Sequence, residues 1–344
     1  MITTKGIKVL YILKWSWHHI LWVFVLMLSI SLLYHYELIT LSLPWVPVSV
    51  IGTSVAFYVG FKNNQAYDRM WEARKIWGGI VNESRTWGMM VDSFITNLFT
   101  TDKKAGAEIH RIKQRLIYRH VAWLYSHRNQ LLAPTPWEHA SQSGALSKLA
   151  SHYQMHFGLG LFVNEATGNE IKQHLPEVEY NDIVTKVNPS THIINEQSRD
   201  LAQLREKDVI DDFRHMELEK VLQAFYNLQG KNERIKKFPL PRQYANMSRY
   251  FVGIFIILFP FSMIPQLINI NTWGLFLSVS ISAIVGWIYL MMELIGDYSE
   301  NPFQGMANDI PMMSLCRTIE IDLKEILKER ELPRSVTPKN GVLM

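Results

Sequence analysis

The sequence predicts an all-α membrane protein with four transmembrane helices and a large helical region outside the membrane. Two observations support this fold class. Four apolar stretches are each long enough for a membrane span, which needs about 20 residues. The long polar stretch between the second and third of them carries apolar residues at helical spacing. The chain is therefore predicted to hold two pairs of spans, separated by a polar region and followed by a polar tail.

The basic residues indicate how the four spans are oriented. None of the 35 lysines and arginines lies between Trp15 and Phe61 or between Tyr250 and Ser314. Four spans place the N-terminus, the polar region and the tail on one side of the membrane, and these parts hold all the basic residues. By the positive-inside rule that side is the cytoplasm. We therefore expect both termini to be cytoplasmic.

The first pair of spans belongs to an N-terminal part, residues 1–61. The first span covers about residues 15–36, and its tryptophans fit an interfacial belt at the inner end. The second span covers about residues 44–61. We expect its helix to begin near Pro47, because proline is tolerated in the first turn of a helix.

The second span ends without a turn signal, so one helix is predicted to run from the membrane into the polar region. Thr53, Phe57 and Phe61 recur at every fourth position, which places them on one helical face. If several copies surround an axis, this face lines a narrow apolar passage that gates ions by dewetting. The alternative is that the two phenylalanines pack against a neighbouring helix. Periodicity leaves both interpretations open.

The polar region, residues 62–248, is predicted to be mostly helical and cytoplasmic. One helix is expected at about Gly106 to Leu132, and another begins at Asn188-Pro189. A further helix is expected at 208–229, because Gly230 is a suitable C-terminal cap. Residues 137–187, between the first two of these helices, have a mixed pattern that predicts no definite element.

The second pair of spans belongs to residues 249–296, with spans at about 250–270 and 273–295. Glu293 lies near the inner end of the fourth span. A carboxylate there is costly in lipid, so it either faces protein, water or a basic partner, or reaches headgroup water. The cytoplasmic tail is residues 297–344, and we expect its last part to be loosely held.

Mixed charges follow the second span. They either pair with one another along the helix surface, or some of them line a vestibule and tune its potential. In the second case Asp68 and Glu72 are the candidates for ion selectivity.

The composition excludes several classes of function. The net charge of +4 suggests no nucleic-acid partner, and a single cysteine, Cys316, excludes an internal disulfide or a cysteine-based metal site. No HExxH, GxxxxGK[ST] or GxSxG motif is present. His215 and Glu219 share a helical face, but without a further ligand this is more simply an exposed polar surface. The sequence therefore predicts no enzyme activity and no metal site.

One block of the sequence resembles a known family. It reads GFKNNQAYDR from Gly60 to Arg69, continues with Trp71-Glu72-Ala73-Arg74 and ends with Trp77-Gly78. This block resembles the bacterial branch of the bestrophin family. Asn301-Pro302-Phe303 after the fourth span resembles the Asn-Pro-Phe element of that family, and the four-span layout is similar. The resemblance covers residues 1–330 and is weak over 130–185.

The resemblance implies a homopentamer with one axial pore in a bacterial inner membrane. The family's neck positions correspond to Thr53, Phe57 and Phe61, the same face that helical spacing identifies. Thr53 departs from the usual bulky aliphatic residue, so the outer end of the neck is expected to be wider or wetter. For a second, cytoplasmic constriction the candidates are Val187 and Ile193.

The resemblance does not extend to a calcium switch. Animal bestrophins follow the Asn-Pro-Phe element with a dense acidic run that clasps calcium, and Gln304 to Asp309 is not such a run. A calcium site takes about six to eight oxygen ligands. The nearby candidates are few: Asp297, Glu300, Asn301, Asn308 and Asp309. We therefore expect no cofactor and no tight calcium site.

The function implied is passive flow of small monovalent ions, most simply anions such as chloride, as in eukaryotic members. Two alternatives remain open. The first alternative is a sodium or potassium channel of the same fold, because bacterial members can favour cations. A membrane-anchored scaffold or signalling protein, whose cytoplasmic helices bind a partner, is the other. The expected partners of the channel are further copies of the chain, membrane lipid and the permeant ions.

Overall fold

The computed structural model describes residues 1–4, 6, 9–100, 104–141, 148, 167–268, 270, 273–339 and 341–344. In these residues the chain forms two compact units. The membrane unit comprises Thr4–Arg69 and Pro239–Glu300. The polar unit comprises Met1–Thr3, Met70–Phe238 and Asn301–Met344.

The described residues are mainly helical. In chain order the helices are α1 (Val9–His35), α2 (Trp45–Phe94), α3 (Gly106–Leu132), α4 (Thr167–His174), α5 (Glu177–Val184), α6 (Pro189–Glu206), α7 (Asp212–Lys237), α8 (Arg242–Leu267), α9 (Gly274–Asp297) and α10 (Met312–Ile326). A 3₁₀ turn lies at His139–Ser141.

Four of these helices, α1, α2, α8 and α9, are long and apolar enough to cross a membrane. They correspond to the four predicted spans by length and composition. The helix of the third span, α8, begins at Arg242, well before the predicted residue 250, because a continuous helical run with polar residues at its start follows Pro241. The helix of the second span, α2, begins at Trp45, so that Pro47 lies in its first turn as expected.

In the membrane unit, α1 packs closely against α9 at a glycine. A Cβ atom added to Gly286 would lie 3.0 Å from Cγ1 of Val23, so only a small residue allows this approach. Nearby, Nε1 of Trp287 donates a hydrogen bond of 3.2 Å to Oγ of Ser16. Small residues and interhelical hydrogen bonds are the usual means by which helices associate in a bilayer.

The core of the polar unit is built around buried aromatic side chains. Trp77 and Trp87 of α2, Trp123 of α3 and Phe225 of α7 are all buried in one cluster. Large aromatic residues contribute most of the buried apolar area in such cores. The polar unit also contains a buried ion pair, in which Nζ of Lys236 lies 2.5 Å from Oε1 of Glu138.

The predicted helix start at Asn188-Pro189 is confirmed. The side chain of Asn188 accepts a hydrogen bond of 3.1 Å from the backbone N–H of Thr191, and Pro189 is the first residue of α6. The predicted end at Gly230 is wrong, because α7 continues to Lys237. A glycine inside a helix costs only about 1 kcal/mol, and the buried Asn232, Ile235 and Lys236 follow it.

The expectation of a loosely held tail is also wrong. The backbone N–H of Thr3 donates to the carbonyl of Gly341 at 2.9 Å, and that of Leu343 donates to the carbonyl of Met1 at 2.8 Å. Val342 and Met344 are buried beside Ile2 and other apolar residues of the polar unit. Paired backbone groups and buried apolar side chains hold this segment in place.

Candidate functional site

An exposed stripe of side chains runs along α2 in the membrane unit. We call Thr53, Phe57 and Phe61 the neck stripe. All three are exposed, and the two phenylalanines expose 66% and 60% of their surface. Asn64 and Asp68 follow on the same face and are exposed as well. The structure thus places the three predicted neck residues side by side, away from the packed interior.

The stripe borders a shallow hollow of about 540 Å³. The residues that line it are Thr53, Ala56, Phe57, Gly60, Phe61, Asn64 and Tyr289. Ala56 and Gly60 leave the space beside the phenylalanine rings open, because neither has a large side chain. Tyr289 comes from α9 and was not identified from the sequence. The hollow is therefore aromatic, with a few polar groups.

The Thr53 end of the stripe is fixed by contacts at Gly52. The hydroxyl of Tyr289 donates a hydrogen bond of 3.0 Å to the carbonyl of Gly52. A Cβ atom at this position would lie 2.7 Å from Cε2 of Phe255, so glycine is required for the close packing. Phe255 and Tyr289 also pack ring against ring, with centroids 4.3 Å apart. These contacts set the rotation of α2 just before Thr53.

The Phe61 end of the stripe is fixed by a buried ion pair. Nζ of Lys62 lies 2.5 Å from Oε1 of Glu293, and both side chains are buried. The hydroxyl of Ser248 donates to the same oxygen at 2.9 Å. Glu293 therefore faces protein and a basic partner, and does not reach headgroup water. Its lysine was missed, although Lys62 is the first basic residue after the second span.

The two acidic residues that follow the neck stripe differ in their surroundings. Asp68, in the membrane unit, is exposed. Glu72, in the polar unit, lies 2.9 Å from Nζ of Lys75. The hydrogen bond from Lys75 lowers the pKa of the Glu72 carboxyl below its usual value. Glu72 thus forms a helix-surface pair, the structural role considered above for these charges.

The two candidates for a cytoplasmic constriction also differ. Ile193 is buried in the core of the polar unit. A side chain in a subunit's own core does not line a passage, so we withdraw Ile193 as a candidate. Val187 is fully exposed and directly precedes the anchored Asn188. Of the two, only Val187 has an exposed side chain.

Three of the residues considered for calcium, Asp297, Glu300 and Asp309, have protein partners. Arg249 lies 3.3 Å from Asp297, and Arg242 lies 3.1 Å from the buried Glu300. Asp309 is buried in the polar unit and accepts a hydrogen bond from the backbone N–H of Met306, while burial raises the pKa of its carboxyl to about 7. In the described part of the chain, no group of three or more His, Cys, Asp or Glu side chains is arranged to hold a metal ion.

His215 and Glu219 lie on one face of α7, with 3.7 Å between Nε2 and Oε1. They form a partly buried pair in the polar unit, and the described residues place no third His, Cys, Asp or Glu with them to hold a metal ion.

Comparisons with known proteins agree with this architecture. The voltage-dependent anion channel-forming protein YneE of Escherichia coli K12 is 23% identical over 294 residues, which are 85% of this chain and 80% of that protein. The protein sll1024 of Synechocystis sp., which has the same descriptive name, is 23% identical over 82% of this chain and 76% of its own length. A bacterial bestrophin homologue from Klebsiella pneumoniae has a similar fold, with a TM-score of 0.70 at 21% identity, over 91% of this chain and 100% of that one.

A family model described as Bacterial/Fungal Bestrophin protein matches residues 7–325. The match covers the motif block at Gly60–Arg69, all four spans and the Asn-Pro-Phe element, and it confirms the resemblance seen in the sequence. The chain belongs to the bacterial and fungal bestrophin family.

Proposed function

We propose that the protein is a passive ion channel in which several copies of the chain surround one pore and the neck stripe of each copy lines its narrow part. One observation carries this proposal. Phe57 and Phe61 are largely exposed, with Thr53, on one face of a helix that is long enough to cross a membrane. A ring of such faces forms a hydrophobic constriction of the kind that gates ions.

The composition of this face favours water over lipid as its neighbour. Exposed residues elsewhere on the spans include aliphatic ones such as Ile257 on α8 and aromatic ones such as Phe276 on α9. The face of α2 combines its aromatic rings with the exposed polar side chains of Thr53 and Asn64. Polar side chains are costly in hydrocarbon and tend to face protein or a water-filled cavity.

The family resemblance supports five copies around the pore, in a bacterial inner membrane with both termini cytoplasmic. Flow would follow the electrochemical gradient, with no chemical step. The phenylalanine rings would form the barrier, and the smaller, polar Thr53 would leave the outer end wider and wetter. Val187 is the proposed cytoplasmic constriction, because its side chain is exposed beside an anchored helix start.

We propose that the permeant ions are small monovalent anions such as chloride. The names of the relatives from Escherichia coli and Synechocystis support anions. Aromatic rings can also present their positive edges to an anion. A second candidate is a channel for sodium or potassium. It is favoured by Asp68, an exposed carboxylate on the same face of α2 just beyond the neck stripe.

The test is current through purified protein in planar bilayers under a sodium chloride gradient. A reversal potential near the chloride equilibrium value supports the anion channel, and one near the sodium value supports the cation channel. Phe57→Ala should widen the neck and raise the single-channel current, whereas Phe276→Ala, an equally exposed residue of α9 outside the stripe, should not. No current from assembled protein, or an unchanged current in Phe57→Ala, would contradict the proposed neck.

A further inference from the structure

We propose that the buried pair Lys62–Glu293 positions the neck and cancels a charge beside it. The inference rests on the proposed function, because it assigns these residues a role in an ion pathway lined by Phe57 and Phe61. The pair would hold α2 at one rotation. It would also keep the ammonium charge of Lys62 from acting on ions in the neck.

The placement of Lys62 supports this role. It directly follows Phe61 in the chain, yet its side chain is fully buried while Phe61 is exposed. Lys62 lies five positions after Phe57, which is a rotation of about 140° around a helix with 3.6 residues per turn. The lysine therefore lies on the far side of α2 from the neck stripe, within one helix width of it.

The contacts of Glu293 join three helices at one atom. Its Oε1 lies 2.5 Å from Nζ of Lys62 on α2 and accepts a hydrogen bond of 2.9 Å from Ser248 on α8. One residue further along α2, Nδ2 of Asn63 donates a hydrogen bond of 3.0 Å to the carbonyl of Met292 on α9. A rotation of α2 that moved Phe61 would break these contacts. The pair and its neighbours thus fix the direction of the phenylalanine side chain.

Stability is a weak explanation for two charges at this place. Taking two ions out of water is costly, and apolar residues of similar volume often hold buried elements equally well. The two charges also affect the electrostatic potential in the passage, where each offsets the other. Without Glu293, the positive charge of Lys62 would stand about one helix diameter from the passage in a medium of low dielectric constant. With it, the net charge at this point is zero.

Three variants test the inference: Glu293→Gln, Lys62→Met and the double variant Lys62→Met/Glu293→Gln. Glu293→Gln keeps the shape and one acceptor oxygen but leaves Lys62 without a counter-charge. The wild type and the variants are all recorded at pH 6. We expect the chloride-to-sodium permeability ratio of Glu293→Gln to rise by about fivefold. The double variant removes both charges and should return the ratio to the wild-type value.

The control is Arg249→Met, which removes a basic residue from another ion pair of the membrane unit. Arg249 lies 3.3 Å from Asp297, but its side chain is 57% exposed. Its charge is screened by salt, so this variant should leave the permeability ratio unchanged. An unchanged ratio in Glu293→Gln, or a double variant that keeps the shifted ratio, would overturn the inference.

A wild-type protein that carries no current would contradict the proposed function. In that case thermal unfolding would test whether Lys62 and Glu293 act together as a positioning element. Each single variant leaves one buried charge without its partner and should lower the unfolding midpoint, whereas the double variant should recover most of the loss. That recovery supports the pair as a positioning element. Strictly additive losses would show that Lys62 and Glu293 are not coupled, and would overturn it.

Discussion

Tyr125 donates a hydrogen bond of 2.6 Å to the carboxylate of Glu320, and both side chains are buried in the polar unit. Nε2 of His174 lies 3.2 Å from the same carboxylate, and Nζ of Lys324 lies 2.9 Å from it. Burial alone would raise the pKa of Glu320, but these hydrogen bonds lower it to about 2. The ionised carboxylate thus joins α3, α4 and α10.

Glu320→Gln should destabilise the polar unit, because it removes the charge on which several buried donors depend. Breaking a buried pair from one side costs about 3 kcal/mol, so the thermal unfolding midpoint in detergent should fall clearly. Glu325→Gln, an exposed position on the same helix, is the matched control. Since the folded pKa is lowered, the stabilisation is present above the unfolded value of 4.5 and is lost as the pH falls toward 2. Equal midpoints for the two variants would refute this role of Glu320.

Two buried histidines should make the polar unit sensitive to acid. The rings of His120 and His127 stack on Trp123, with centroids 5.3 Å and 5.7 Å away. Burial lowers their pKa values from 6.5 to about 3 and about 4. Between pH 6.5 and the lowered pKa of each histidine, the unfolded chain binds a proton that the folded chain does not. Stability should therefore fall as the pH drops below 6.5, by up to about 1.4 kcal/mol per pH unit for each histidine.

The measurement is the unfolding midpoint at a series of pH values between 7 and 4. His127→Gln removes one of the two groups, so its midpoint should depend less steeply on pH than that of the wild type. His110→Gln changes an exposed histidine of the same helix and should keep the wild-type slope. If His127→Gln also keeps that slope, burial of His127 is not a source of the acid sensitivity.

Val187 should limit the current at the cytoplasmic constriction. Its side chain is exposed, while the adjacent Asn188 is held by the N–H of Thr191 and by Nε2 of Gln130. Val187→Ala should raise the single-channel current, and Val187→Trp should lower it. Val178→Ala alters an equally apolar, exposed residue outside this turn and serves as the control. Unchanged currents in both Val187 variants would place the constriction elsewhere.

Much of this fold could be predicted because its main signals are local. The four spans follow from apolar length, and the helix start at Pro189 follows from the capping residue before it. The neck stripe is defined by a four-residue spacing, and its side chains are exposed in the structure. The partner of Glu293 could also have been found, since Lys62 is the basic residue next to the span.

The remaining predictions failed where long-range packing decides. Gly230 is a good local stop signal, yet the buried residues that follow it outweigh the small cost of a glycine in a helix. The end of the chain is held by residues 1–3, which are far from it in sequence. Ile193 and Val187 look alike as apolar residues beside a helix start, and only the fold shows that one is buried and the other exposed.

The central claim is that Phe57 faces a water-filled passage, and the single cysteine of the chain allows a direct test. Cys316 is buried, and burial raises the pKa of its thiol to about 12, so the native protein should not react with a charged, water-soluble thiol reagent. We predict that a methanethiosulfonate reagent reduces the current through Phe57→Cys. It should leave the wild type and Ile257→Cys, an exposed position on α8, unchanged. A Phe57→Cys channel whose current the reagent does not alter would contradict the account.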